Sequence, residues 1–298
     1  MKAAFFKLHI AILLAGFTAI LGKLITLGET PLVWWRLVFT ALVMWVWMLV
    51  ANKKKPYPAV KRRSVFGIGA IIGLHWLCFF GSVKYANVSI ALVCFSAGGF
   101  FSSLMEPFIM RSKWQWKETL LGLISIAGIY IIFHFDARYK FGIFLGVLGS
   151  LLSALFSTLN KKYVDQMDGV NMTAYEMIGA LTMVSMVLPF MVFYHHVLWV
   201  PVRWDWLWLG ILSVMCTVWA FLLQLQALKY ISAFTLNISY NLEPVYGIIL
   251  AFFFFQENQE LSLSFYTGVA LIILSIVVQM ALVYRRKVWG KLPVSGEV

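Results

Sequence analysis

The chain is a succession of apolar runs, each about as long as a bilayer is thick. A helix rising ~1.5 Å per residue needs ~20 apolar residues to cross a ~30 Å hydrocarbon core. Ten windows meet that requirement: residues 8–27, 32–51, 65–85, 88–110, 119–135, 141–159, 172–194, 207–228, 231–255 and 265–284. Their interiors carry few charges, and no connection between them is long enough to fold as a domain. Inside a bilayer only helices or closed barrels satisfy the backbone. Runs of this length and continuity predict helices, so the fold class expected is an all-α polytopic membrane protein with ten transmembrane helices.

Composition agrees. Hydrophobic residues make up 62% and charged residues 12%, against roughly 25% charged in ordinary soluble domains. The formal net charge of +12 does not point to nucleic acid, because the basic residues sit in short loops between apolar runs. With ten spans both termini share one face. Of the 24 Lys and Arg, Lys23, Lys84, Arg138, Lys140 and Arg203 fall on the opposite face, Arg36 falls inside a span, and the rest lie on the face of the termini. The positive-inside rule then makes both termini cytoplasmic, and a bacterial inner (cytoplasmic) membrane is the expected location. Lys2 and Lys7 precede the first run as they would a signal peptide. That run exceeds the ~7–15 residues of a signal core, so it reads as a retained span. The basic loop 53–63 is the strongest part of the topology signal and a possible site for anionic lipid headgroups.

Within 231–255 the middle is polar: Asn237, Ser239, Tyr240, Asn241, Glu243 and Pro244. Ionisable groups at bilayer depth are costly and mark functional sites by default. Asn237, Tyr240, Asn241 and Pro244 recur at i, i+3, i+4 and i+7, one helical face. Glu243 lies about a hundred degrees round from it. Pro244 removes one helical hydrogen bond and is expected to kink the span, freeing the Tyr240 carbonyl. The face reads either as the wall of a central cavity or as polar glue between helices. Other polar positions inside spans are Trp35 with Arg36, His75 with Trp76, Tyr175 with Glu176, and Trp219 with Gln224. Arg36 and Glu176 are expected in opposite vestibules, not as a pair. Glu106 is expected to interact locally with Arg111. Gly69–Gly73 and Gly142–Gly146 have the GxxxG spacing of close helix packing. The tryptophans at 114, 116, 199, 204, 206 and 208 fall at span edges, where aromatic belts form.

The chain carries a faint internal repeat. Lys84–Tyr85 and Lys229–Tyr230 each close a span at an offset of 145, and residues 88 and 233 open the next span after equally short turns. Five spans per half is odd, so the second half is inverted relative to the first, a recurring transporter architecture. Three segments then resemble the drug/metabolite transporter superfamily of EamA type: Ala227-Leu228-Lys229-Tyr230-Ile231-Ser232-Ala233, then Leu242-Glu243-Pro244-Val245, then Phe255-Gln256-Glu257. The first half is similar through Arg36, Lys84–Tyr85 and Gly122–Leu123 with Gly128. It departs at Gly98–Gly99, where the offset would place Glu243–Pro244. The resemblance implies two EamA repeats, residues 1–135 and 141–285, followed by a cytoplasmic tail, 286–298. It also implies transport of a small metabolite, often an amino acid and often outward.

The reading on sequence is therefore a secondary active transporter working by alternating access, with amino acids the first substrate class and export the direction. The coupling proton is assigned to Glu243. A sugar, nucleotide-sugar or sugar-phosphate carrier is the second reading, and an intramembrane enzyme or lipid-handling protein a third. HExxH, P-loop and GxSxG signatures are absent. Cys78, Cys94 and Cys216 are scattered. No cofactor, metal or nucleic acid is expected, membrane lipid surrounds the chain, and one copy suffices for the plan. The charge asymmetry makes a direct prediction. Reporter fusions or cysteine labelling should find both termini and the 53–63 loop in the cytoplasm, and an externally labelled terminus would refute the ten-span plan.

Overall fold

The computed structural model describes residues 2–50, 57–135, 139–195, 199–240, 242–259, 261 and 263–289. Among them there is no strand. The helices are α1 (Lys2–Leu24), α2 (Glu29–Val50), α3 (Ala59–Tyr85), α4 (Val88–Phe95), α5 (Gly98–Met110), α6 (Trp116–Phe135) and α7 (Lys140–Tyr163). They continue as α8 (Gly169–His195), α9 (Arg203–Ser213), α10 (Ala220–Leu228), α11 (Ala233–Tyr240), α12 (Glu243–Phe255) and α13 (Leu263–Trp289). A π-helical turn, Val214–Trp219, joins α9 to α10. Among the described residues, seven helical stretches are long and apolar enough to cross a membrane, counting 88–110 and 203–228 each as one. Shorter apolar helices cover Thr119–Ile131, Glu243–Phe255 and Leu263–Ser275. The chain is an integral membrane protein.

Two spans are broken, and they are broken alike. α4 and α11 have eight residues each, and α5 and α12 thirteen each. All four pairs of bounds differ by the offset of 145. Both second halves end on a left-handed residue, Arg111 at φ 52° and Gln256 at φ 53°, the conformation that stops a helix sharply. Residues 98–99 therefore hold the same break as residues 243–244, although the residue types share nothing. Gly98–Gly99 begins one half-helix in helical backbone, where a Cβ on Gly98 would meet Ser150 and Asn237 at van der Waals distance. Pro244 begins the other because its missing N–H is free of cost in a first turn. Pro244 is thus not a kink within a continuous helix, as the sequence suggests, but part of a helix start. At the breaks the backbone turns through i→i−3 bonds: Ser96 N–H to the Val93 carbonyl at 3.0 Å, and Leu242 N–H to that of Ser239 at 3.1 Å.

Small residues set the tightest crossings. α3 packs against α7 and α8. A Cβ on Gly69 would collide with the Glu176 carbonyl, and one on Gly179 with the Phe66 carbonyl. A Cβ on Gly146 would meet Cys94, and one on Gly142 the backbone of Ala86. Both GxxxG pairs therefore lie at backbone-close contacts. α13 continues to Trp289, into the stretch read from sequence as tail; residues 290–298 lie outside the described residues, as do residues 51–56, which include the first part of the basic loop.

The α3–α8 crossing yields a stability test. Gly69→Val should lower the thermal stability of the detergent-solubilised protein by about 1–3 kcal/mol, the usual cost of overpacking. Gly67→Ala is the control. It lies two residues earlier with nothing within 4 Å of its Cβ position, so it should leave stability unchanged or raise it.

Candidate functional site

The broken span and the π-turn face one another across a cavity in the bundle interior. Its walls carry Arg36 from α2, His75 and Trp76 from α3, Ser153 and Phe156 from α7, and Gln224 from α10. Asn237 and Tyr240 of α11 and Glu243 of α12 complete the polar wall. Phe79, Phe95 and Phe221 add apolar surface. The cavity volume is about 70 Å³.

Arg36 is the fixed point of the site. It lies seven residues past the start of α2 at Glu29, ~10 Å along the helix, and is 2% exposed. Its Nε donates to Thr217 Oγ1 at 2.8 Å, and the Thr217 hydroxyl donates onward to the Leu212 carbonyl at 2.7 Å. The guanidinium lies 3.8 Å from the centroid of the Trp76 ring and 5.5 Å from that of Phe80, in cation–π range. Its backbone carbonyl accepts from Thr40 and Ser213. Nη1 is buried and has no hydrogen-bond partner. A π-turn is a helix defect that recurs at functional sites; here it presents Thr217 to Arg36 and Cys216 to the cavity.

The facing wall is amide and acid. Asn237 Nδ2 donates to Ser157 Oγ at 2.6 Å and to the Ala233 carbonyl at 2.9 Å. The Tyr240 hydroxyl donates to Gln224 Oε1 at 3.1 Å. His75 Nδ1 lies 2.8 Å from the Gly149 carbonyl, an acceptor only, so Nδ1 carries the proton and Nε2 is left as the ring's other polar atom. Glu243, 4% exposed, opens α12. It interacts electrostatically with Arg36, but the two form no ion pair; among the described residues the one ion pair within 4.0 Å is Lys23–Glu257.

The structure gathers Arg36, His75, Trp76, Gln224, Asn237, Tyr240 and Glu243 around one cavity and leaves other sequence candidates outside it. Trp35 joins an aromatic cluster with Phe39, Trp199 and Trp206, and its Nε1 donates to the Trp199 carbonyl at 2.8 Å. Trp219 is 52% exposed on the outer face of the bundle. Tyr175 packs against the apolar cluster around α11. Glu176 is fully buried at the α3–α8 crossing rather than in a vestibule, with its carboxyl beside the buried Asn160 side chain of α7. Arg36 is likewise buried, on the cavity wall, and α2 starts three residues earlier than the apolar window. Asn241 lies outside the described residues.

Residues that sequence reasoning missed include Thr217, Cys216 and Ser153, which have no pattern to betray them. Glu106 is a second kind of miss. It does not interact locally with Arg111 but accepts from the N–H groups of Ala233 and Phe234, at 3.2 and 2.6 Å, across the bundle.

A broken-helix pair, repeated at a fixed offset around a polar cavity inside an apolar bundle, is the build of a membrane transporter. The model of the EamA-like transporter family matches residues 3–134 and again 140–280, and the chain belongs to that family. A solved structure, titled only as the crystal structure of a protein, is similar over 96% of this chain and 99% of its own. It has a TM-score of 0.69 and 16% sequence identity, a likeness of fold alone. No curated protein matches the chain in sequence.

Because Arg36 and Glu176 lie in separate surroundings, exchanging their charges should not help. The double variant Arg36→Glu, Glu176→Arg should transport no better than the poorer single variant. Recovery would show that the two pair directly in some state of the cycle.

Proposed function

We propose that the protein is a secondary active transporter that exports amino acids by alternating access across a bacterial inner membrane. The observation that carries this reading is the cavity's charge arrangement. A guanidinium with a free donor, Arg36 Nη1, and a carboxylate, Glu243, share one small cavity. They suit the carboxylate and ammonium ends of a zwitterion. The rings of Trp76, Phe79, Phe95, Phe156 and Phe221 suit an apolar side chain beside them. Arg36 is the one Arg or Lys among the lining residues, which disfavours a sugar phosphate or nucleotide sugar, whose phosphates ask for several cations.

The ten-span plan, with inverted repeats over 1–135 and 141–285 and cytoplasmic termini, is part of the proposal. It rests on the basic-loop asymmetry and on the paired helix breaks. In the cycle, Glu243 exchanges a proton or a cationic substrate group as the cavity changes sides. Membrane burial of a carboxylate beside a helix break supports that role. Its rival is a structural carboxylic acid that merely bonds its neighbours.

Proteoliposome counterflow over amino acids, sugars and sugar phosphates tests the substrate class. Apolar amino acids should exchange, and Arg36→Ala should lower that exchange by tenfold or more, the scale of losing a hydrogen bond to a charged group. Glu243→Gln keeps shape and hydrogen bonding but cannot titrate. It should insert normally, transport more slowly and lose the pH dependence of net flux. Wild-type rates with an unchanged pH profile would remove Glu243 from the coupling.

A further inference from the structure

The two half-helices that open the broken spans, α4 and α11, are capped in the same way, each by the other repeat. A helix N-terminus leaves N–H groups without intrahelical partners and carries a partial positive charge. At α4, Val88 and Ser89 N–H donate to the two oxygens of Glu257, at 3.2 and 3.0 Å. The third N–H, of Ile90, donates to Asn87 Oδ1 at 2.8 Å. At α11, Ala233 and Phe234 N–H donate to the two oxygens of Glu106. The third N–H, of Thr235, donates to Ser232 Oγ at 3.0 Å. Asn87 and Ser232 differ by 145, as do the three N–H donors. Glu257 lies just past the end of α12, and Glu106 in the last turns of α5. Each broken span therefore begins beside the end of the other, and the two capped starts lie at opposite ends of the bundle.

The carboxylates themselves break the offset. The residue 145 before Glu257 is Ser112, which follows the left-handed Arg111 as Glu257 follows the left-handed Gln256. Glu106 supplies from within α5 the carboxylate that position 112 lacks. The caps also differ in strength. Glu257 additionally accepts from Ser89 Oγ at 2.6 Å and pairs with Lys23 Nζ at 2.7 Å. The hydrogen bonds described at Glu106 are those from Ala233 and Phe234; Lys161 acts on it electrostatically but without an ion pair, its ammonium donating to the Leu228 carbonyl.

We infer that Glu257 and Glu106 are positioning residues acting as two latches, one at each end of the cavity. Each ties a half-helix of one repeat to the opposite repeat, and each must release for the cavity to open at its own end. Both sets of bonds are made here. The Glu106 latch is the weaker, so opening at the α11 end is the easier of the two. The inference rests on the alternating-access reading above.

Cys216 lines the cavity and serves as the reporter once Cys78 and Cys94 are replaced by Ala. Its labelling by a membrane-impermeant thiol reagent is compared between right-side-out and inside-out vesicles, with and without an exchanging amino acid. Glu257→Gln should raise labelling from the α4 end only, and Glu106→Gln from the α11 end only. Each should shift the ratio of the two by about tenfold, the scale of one hydrogen bond to a charged group. Lys23→Gln, which alters a half-exposed residue and leaves both carboxylates in place, should shift labelling as Glu257→Gln does, by less. Adding Ser112→Glu to Glu106→Gln should restore the wild-type ratio by returning a carboxylate to the symmetric position. General loosening would raise labelling from both ends in both variants and would overturn the latch assignment, as would no change in either. A parent protein whose Cys216 reacts from one face under all conditions would overturn alternating access itself.

Discussion

Backbone N–H and C=O groups inside a bilayer must find partners within the protein, because the hydrocarbon offers none. This constraint shapes the two broken spans. Each break adds helix ends to the interior, and each half-helix that starts there or at the membrane edge has donors to satisfy. The fold answers with tight i→i−3 turns at the breaks and with side-chain caps at the starts. The caps at α4 and α11 come partly from the neighbouring turn and partly from the far repeat. Satisfying the backbone and joining the repeats are thus one set of bonds, and they bind the protein together where a transporter has to come apart.

Much of this was legible in the sequence, and the reasons divide cleanly. Spans announce themselves because solvent exclusion demands long apolar runs. The offset of 145 was visible through Lys84–Tyr85 and Lys229–Tyr230, and it extends to helix bounds at single-residue accuracy. What the offset could not reveal was the break at Gly98–Gly99, since a glycine pair and a Glu–Pro pair open the same half-helix with no residue type in common. Depth was the other weak point. Arg36 was placed near a surface because α2 was started at its apolar residues, whereas the helix starts at Glu29. Trp35 and Trp219 neighbour cavity-lining residues in sequence yet point away, because adjacent positions on a helix lie about a hundred degrees apart. Asn237, Tyr240 and Glu243 reached the cavity together although no single helical face holds all three; the break after Tyr240 re-aims Glu243.

Arg36 shows how the site holds a charge in an apolar bundle without neutralising it by pairing. A lysine ammonium is a compact, strongly hydrated charge; a guanidinium is planar and more weakly hydrated, and here it lies over the rings of Trp76 and Phe80. One of its bonds goes to Thr217, which the π-turn carries toward α2. The same arrangement leaves Nη1 unspent, with Glu243 in electrostatic reach but not in contact. A closed Arg36–Glu243 pair would compete with any zwitterion for both ends. Keeping the two apart in one cavity favours a ligand that bridges them over their direct collapse.

The inequality of the two caps carries this reasoning from the site to the cycle. If both ends were tied with equal strength, substrate binding at the centre would have no built-in direction to its response. Here Glu257 has a lysine partner and a serine hydroxyl beyond its backbone donors, while Glu106 stands in for the carboxylate missing at 112 from the middle of a helical turn. A ligand that bridges Arg36 on α2 and Glu243 on α12 pulls on α12, whose far end carries Gln256 and Glu257, and so bears directly on the stronger tie. Opening at the weaker tie requires only that α11 leave α5. On the proposed cycle the α11 end would therefore open more readily than the α4 end, where substrate or a proton at Glu243 would have to act against the stronger tie.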